Sequence, residues 1–178
     1  MRRLVALAMA AALALGIVGV AMANGTSDRR NSFKANLGGY QEVPAISTTG
    51  TGKLTLGLNT AGTELAYTLT WSGLQGGNAI AAHIHFAQPG VSGGIVADLC
   101  GGTKPACPAG AAGTVSGVIA AGNILAVPAQ GINAGEFAEV VMAIRSGVTY
   151  ANIHTGTFPM GEIRGQIGKG RGGDDRND

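Results

Sequence analysis

Ala81-Ala82-His83-Ile84-His85-Phe86-Ala87 is the stretch on which the fold reading turns. Ile84 and Phe86 alternate with His83 and His85, the two-residue period of a β-strand. Side chains two apart on a strand share a face, so both imidazoles project to one side and both large apolar groups to the other. The chain has 3 histidines. The third, His154, lies in a second alternating run, Tyr150-Ala151-Asn152-Ile153-His154-Thr155, where Ile153 takes the apolar face and His154 shares its side with Asn152. A third run, Gly161-Glu162-Ile163-Arg164-Gly165-Gln166-Ile167, sets Glu162, Arg164 and Gln166 opposite Ile163 and Ile167. If these runs are neighbours in one sheet, they build a polar cluster of His, Asn, Glu and Arg. That cluster is the one place where the sequence concentrates chemistry.

The same period recurs on both sides of this stretch. Phe33 to Leu37 alternates and reads as a first strand. Leu54, Leu56 and Leu58 mark a second. Asn59-Thr60-Ala61-Gly62 is a hairpin loop, and Glu64 to Trp71 returns with Leu65, Tyr67, Leu69 and Trp71 inward. Ile95 to Leu99 and Thr114 to Ala120 add two more strands. Asn133-Ala134-Gly135-Glu136 has the spacing of a capping box. Phe137, Val140, Val141 and Ile144 then follow at helical intervals, so one short helix is expected to Ser146, stopped by Gly147. About eight short strands, one helix and 31 glycines point to an all-β fold, an antiparallel β-sandwich.

The ends read differently. Met1-Arg2-Arg3, an apolar run from Leu4 to Val20 and Ala21-Met22-Ala23 have the pattern of a secretory signal peptide over residues 1–23. The alternative is an uncleaved anchor. Residues 24–31 read as a flexible lead-in, 32–168 as one domain, and 169–178 as a disordered tail of glycine and charge.

Of 12 Lys and Arg, two leave with the signal segment, so 10 basic residues face 10 acidic ones. A nucleic-acid or anionic-membrane partner lacks its electrostatic driving force in such a balance. No run after the signal segment is long enough for a transmembrane helix. Cys100 and Cys107 are the 2 cysteines, with six residues between them and outside the cytoplasm on this reading. A disulfide is expected between them.

At this point a family is recognisable. Phe33-x-Ala35-x-Leu37-x-Gly39-x-Gln41-Glu42-Val43-Pro44, Ala82-His83-Ile84-His85, and Tyr150 to Thr155 followed by Pro159-x-Gly161-Glu162-Ile163-Arg164-Gly165-Gln166 together resemble a CHRD (chordin) domain of the bacterial, secreted, single-domain kind. The resemblance implies an extracytoplasmic β-sandwich related to immunoglobulin-like and copper–zinc superoxide dismutase sandwiches. It implies a secreted or periplasmic binding or structural module that recognises a protein or surface component, with no particular partner readable.

Three readings of the polar cluster stay open. His-x-His on a strand is a chelating pair, so His83, His85 and His154 could hold copper or zinc, with Glu162 as a fourth ligand or an acceptor behind them. Alternatively, the three His with Asn152, Glu162 and Arg164 form a structural hydrogen-bond network without any cofactor. The third reading is a polar ligand-binding patch. The His-x-His pair is similar to the copper ligands of copper–zinc superoxide dismutases, but those enzymes need more histidines than this chain has. Catalysis has little else to stand on. Ser72, Ser92, Ser116 and Ser146 lie in no nucleophile elbow, and the carboxylates are scattered. Glu42 reads as a loop carboxylate that ties down a turn.

Overall fold

The structure, a computed structural model, describes residues 29–169. The expected signal segment, most of the lead-in and nearly all of the tail lie outside the described residues. Among the described residues, nine antiparallel strands form one sheet: β1 (Ser32–Gly38), β2 (Thr51–Leu58), β3 (Leu65–Ser72), β4 (Ala79–Phe86), β5 (Gly94–Cys100), β6 (Gly113–Ile119), β7 (Thr149–Thr155), β8 (Ile163–Gln166) and β9 (Gly168–Lys169). The sheet runs β5-β4-β7-β8-β1-β2-β3-β6, and β9 pairs with β1.

The sheet nearly closes on itself. Its end strands β5 and β6 come against each other. Tyr67 on β3 donates its hydroxyl to the Leu99 carbonyl on β5 at 2.7 Å. Lys104 Nζ donates to the Val118 carbonyl on β6 at 2.9 Å. The apolar faces turn inward. Leu54, Leu65, Leu69, Ile84, Ile153 and Ile163 are fully buried there, and Tyr67 and Trp71 join them. Each such large side chain contributes roughly 1.5–3 kcal/mol through removal from water. The all-β, antiparallel class is as the alternation implied.

The two halves of the sheet differ on their outer side. β2 alternates buried and exposed residues, so its outer face meets solvent. β7 is buried along its whole length, and β4 is buried on both faces from Ala82 to His85. Loops cover these strands from outside. Polar residues on that covered side are therefore buried although they lie outside the core.

The helix α1 (Phe137–Arg145) forms, with Phe137, Val140, Val141 and Ile144 in the core. Its start differs from the expectation. Glu136, not Asn133, occupies the N-cap position. Asn133 donates its backbone N–H and its amide to the Glu136 carboxylate, at 2.7 and 2.9 Å. That closes a turn before the helix, because Gly135 takes a positive φ of 83° there. Gly147, at φ 70°, ends the helix as expected.

Candidate functional site

The covered face of β4 and β7 brings the three histidines together. The register sets His83 opposite Asn152, His85 opposite Tyr150 and Ala81 opposite His154. His83, His85, Tyr150, Asn152 and His154 thus share one side, and Arg164 joins it through its pairing with Asn152. One donor nitrogen from each of His83, His85 and His154 lies within 4.8 Å of the other two.

Each ring has one nitrogen already engaged. His85 Nδ1 donates to the Gly93 carbonyl at 2.9 Å. His154 Nδ1 donates to the Pro159 carbonyl at 2.9 Å. A carbonyl can only accept, so both rings carry a bare lone pair on Nε2. Nε2 of His85 is buried and has no hydrogen-bond partner. Nε2 of His154 faces Nδ1 of His83 at 3.0 Å and Oδ1 of Asn152 at 3.1 Å. The remaining nitrogen of His83, Nε2, lies 3.5 Å from a carboxylate oxygen of Asp98.

Burial pushes the pKa of all three rings down, His83 to about 4, and the neighbouring rings press His83 further in that direction. The Asp98 charge opposes this at His83, and the carbonyl bonds oppose it at His85 and His154. The rings are thus neutral at pH 7, the form that donates a lone pair to a metal. Protons alone satisfy this arrangement poorly. If His83 keeps its proton on Nε2 toward Asp98, two lone pairs meet at the 3.0 Å contact. If the proton sits on Nδ1, a lone pair faces the Asp98 carboxylate instead. A cation among the three rings removes the conflict.

Glu162 does not join the histidines, which corrects its expected place as a ligand and as a member of the polar cluster. Its carboxylate accepts four hydrogen bonds, from Thr48 Oγ1 and Gln75 N at 2.6 Å and from Gly76 N and Thr155 Oγ1 at 2.9 Å. Burial would raise its pKa, but these donors together hold it below the ordinary carboxylate range. Thr155 has the opposite parity to His154, so Glu162 serves the other side of the sheet. Gly161, at φ 128°, and the bend at Glu162 break the alternation before β8 begins. Arg164, by contrast, is where alternation put it.

Residues 33–167 match the CHRD domain. The chain belongs to the CHRD-domain family. No curated protein and no solved structure matches it. CHRD domains are extracellular, non-enzymatic interaction modules. The matched span contains all three histidines of this chain. The structure joins Cys100 to Cys107 by a disulfide, and no helix of the described residues is long and apolar enough to cross a membrane.

Three further residues of the CHRD domain shape the site, and the motif reading did not assign them to it. Tyr150 stacks on His85, ring centroids 4.6 Å apart and nearly parallel, and Arg164 covers its other face at 3.4 Å. Its parity with Asn152 and His154 was the available signal. Asp98 reaches His83 from β5, a contact that depends on strand order. Glu42 is buried beside Gly161, and burial raises its pKa to about 7 against the pull of the Val43 backbone, Arg164 and Asn152. Arg164 is itself held by the Gln88 and Val91 carbonyls, at 3.2 and 2.8 Å. These bonds fasten the loop that roofs the histidines.

Proposed function

We propose that this chain is an exported, non-catalytic CHRD module that binds one transition-metal ion, zinc or copper, through His83, His85 and His154. One observation carries the reading: three neutral imidazoles converge, and on each ring the nitrogen outside the cluster has a carbonyl or carboxylate beside it. Metal-bound histidines show this pattern, because the outer acceptor fixes the tautomer and turns the lone pair inward. Imidazole donors suit zinc and copper. Ions of this kind sit about 2.0–2.1 Å from each nitrogen, so modest side-chain rotations would complete the set. Asn152 lies beside the cluster as a further oxygen donor. The partner of the module is a protein or surface component outside the cytoplasm, and export through the segment 1–23 supplies the oxidising setting that the disulfide needs.

The test is metal content. Purified protein, stripped and then offered zinc and copper separately, is expected to retain close to one ion per chain. The double variant His83→Ala/His85→Ala is expected to retain none while keeping its β-sheet circular dichroism. A stripped protein that takes up neither ion would leave the histidines as a hydrogen-bond network and end the metal reading.

A further inference from the structure

The ring closed by Cys100 and Cys107 lies against the histidine cluster, and two links connect them. Asp98 is the first. One of its carboxylate oxygens approaches His83 Nε2 at 3.5 Å. The other accepts both the backbone N–H and the hydroxyl of Thr103, each at 2.7 Å, and Thr103 lies inside the ring. The second link is the sheet. Cys100 pairs with Ala82, the residue before His83.

The ring is shaped to hold the Asp98 carboxylate. Gly101 and Gly102 both take positive φ, 72° and 57°, and Gly101 N–H bonds to the Pro105 carbonyl at 2.8 Å. A Cβ on Gly102 would sit 2.5–2.9 Å from the Asp98 carboxylate, so the ring backbone lies directly on that group. Asp98 is 4% exposed. A carboxylate so enclosed keeps one orientation, with one oxygen held beside Nε2 of His83 as an acceptor for a proton there.

We infer that Asp98 is a positioning residue for the metal site, and that the Cys100–Cys107 ring sets metal affinity by holding Asp98 in place. This rests on the metal-binding reading above. With the ring closed, Asp98 keeps the proton of His83 on Nε2 and leaves Nδ1 free for the ion. An extracytoplasmic dithiol opens the ring by thiol–disulfide exchange. It gives two electrons and two protons, Cys100 and Cys107 become thiols, and the dithiol becomes a disulfide. Thr103 then loses its fixed position, Asp98 loses two donors, and His83 is no longer held with Nδ1 inward. The redox state of the compartment is thereby linked to metal retention.

Zinc affinity is measured by competition with a chromophoric chelator, in the whole protein, for the parent chain, Asp98→Asn, Cys100→Ser/Cys107→Ser and Thr103→Val. Cobalt absorption reports ligand geometry in parallel. Asp98→Asn and the ring-open double variant are expected to bind zinc roughly 10–100-fold more weakly, with a changed cobalt spectrum. Thr103→Val, which keeps the disulfide, is expected to show a smaller loss in the same direction and covers the case in which the double variant does not fold. Glu162→Gln is the control for lost stability alone and is expected to bind zinc like the parent. Parent-like affinity in Asp98→Asn and Thr103→Val overturns the inference while the metal reading stands. Absence of zinc uptake by the parent overturns the metal reading and this inference with it.

Discussion

His83 Nδ1 lies 3.0 Å from His154 Nε2, although the two residues are 71 positions apart in sequence. The single proton of a neutral His83 cannot serve both His154 Nε2 and the Asp98 carboxylate, and a shared cation relieves that conflict. An ion that binds the native state and not the unfolded chain stabilises by mass action. Zinc at a hundredfold excess over its Kd is expected to add roughly 2.7 kcal/mol and to raise Tm by several degrees. His154→Ala is expected to abolish the shift. Differential scanning calorimetry with and without zinc checks this, and a Tm indifferent to zinc in the parent protein would count against the site.

Glu42 and His83 act in opposite directions on pH stability. The folded pKa of His83, about 4, lies below its ordinary 6.5. Its contribution is therefore present above pH 6.5 and lost as pH falls through 4. The folded pKa of Glu42, about 7, lies above its ordinary 4.5. Its contribution is full below pH 4.5 and lost as pH rises through 7. In metal-free protein the two offset each other between these limits. Glu42→Gln removes one of them, so acidification from pH 6.5 to 4 is expected to lower the urea midpoint more steeply than in the parent. An unaltered profile would mean that the Glu42 carboxyl titrates in the usual range.

The Glu162 carboxylate holds three segments together, around Thr48, Gln75–Gly76 and Thr155. Glu162→Gln turns an amide NH2 toward groups that can only donate or that already donate. The expected loss is on the order of 3 kcal/mol, read from urea unfolding. Metal uptake is expected to be unchanged, because this clamp faces away from the histidines. A loss below about 0.5 kcal/mol would contradict the clamp.

Reduction of Cys100–Cys107 is expected to cost roughly 2–3 kcal/mol by the chain-entropy estimate for so small a ring. A non-chelating phosphine reductant, applied to metal-free protein, isolates this effect from metal binding. An identical melting temperature in the reduced form would show that the ring contributes nothing to global stability.

Much of the site was legible because strand parity is a local rule. His83 and His85 fall on one side, Asn152 and His154 on one side, and Arg164 opposite Ile163, wherever the backbone is pleated. The rule failed at Glu162 for a physical reason. Gly161 adopts a φ that takes the chain out of the pleat, so the two-residue count from Arg164 back to Glu162 crosses a bend. The capping-box reading failed in a milder way: Glu136 accepts from the Asn133 backbone N–H as such a box requires, but the pair closes a turn ahead of the helix.

By itself the sequence determined the strands, their two faces and the all-β class, since alternation, turn residues and apolar spacing act over a few positions. It also determined that the two cysteines stand close enough to join. The order β5-β4-β7-β8 was decided only in three dimensions, because strand pairing is a choice among distant segments that no local pattern encodes. That order sets His154 beside His83 and brings Asp98 to the outer nitrogen of His83. It also leaves Glu162 to fasten loops on the other side. Which polar groups share a site follows from that pairing, and from the loops that shut water out above it.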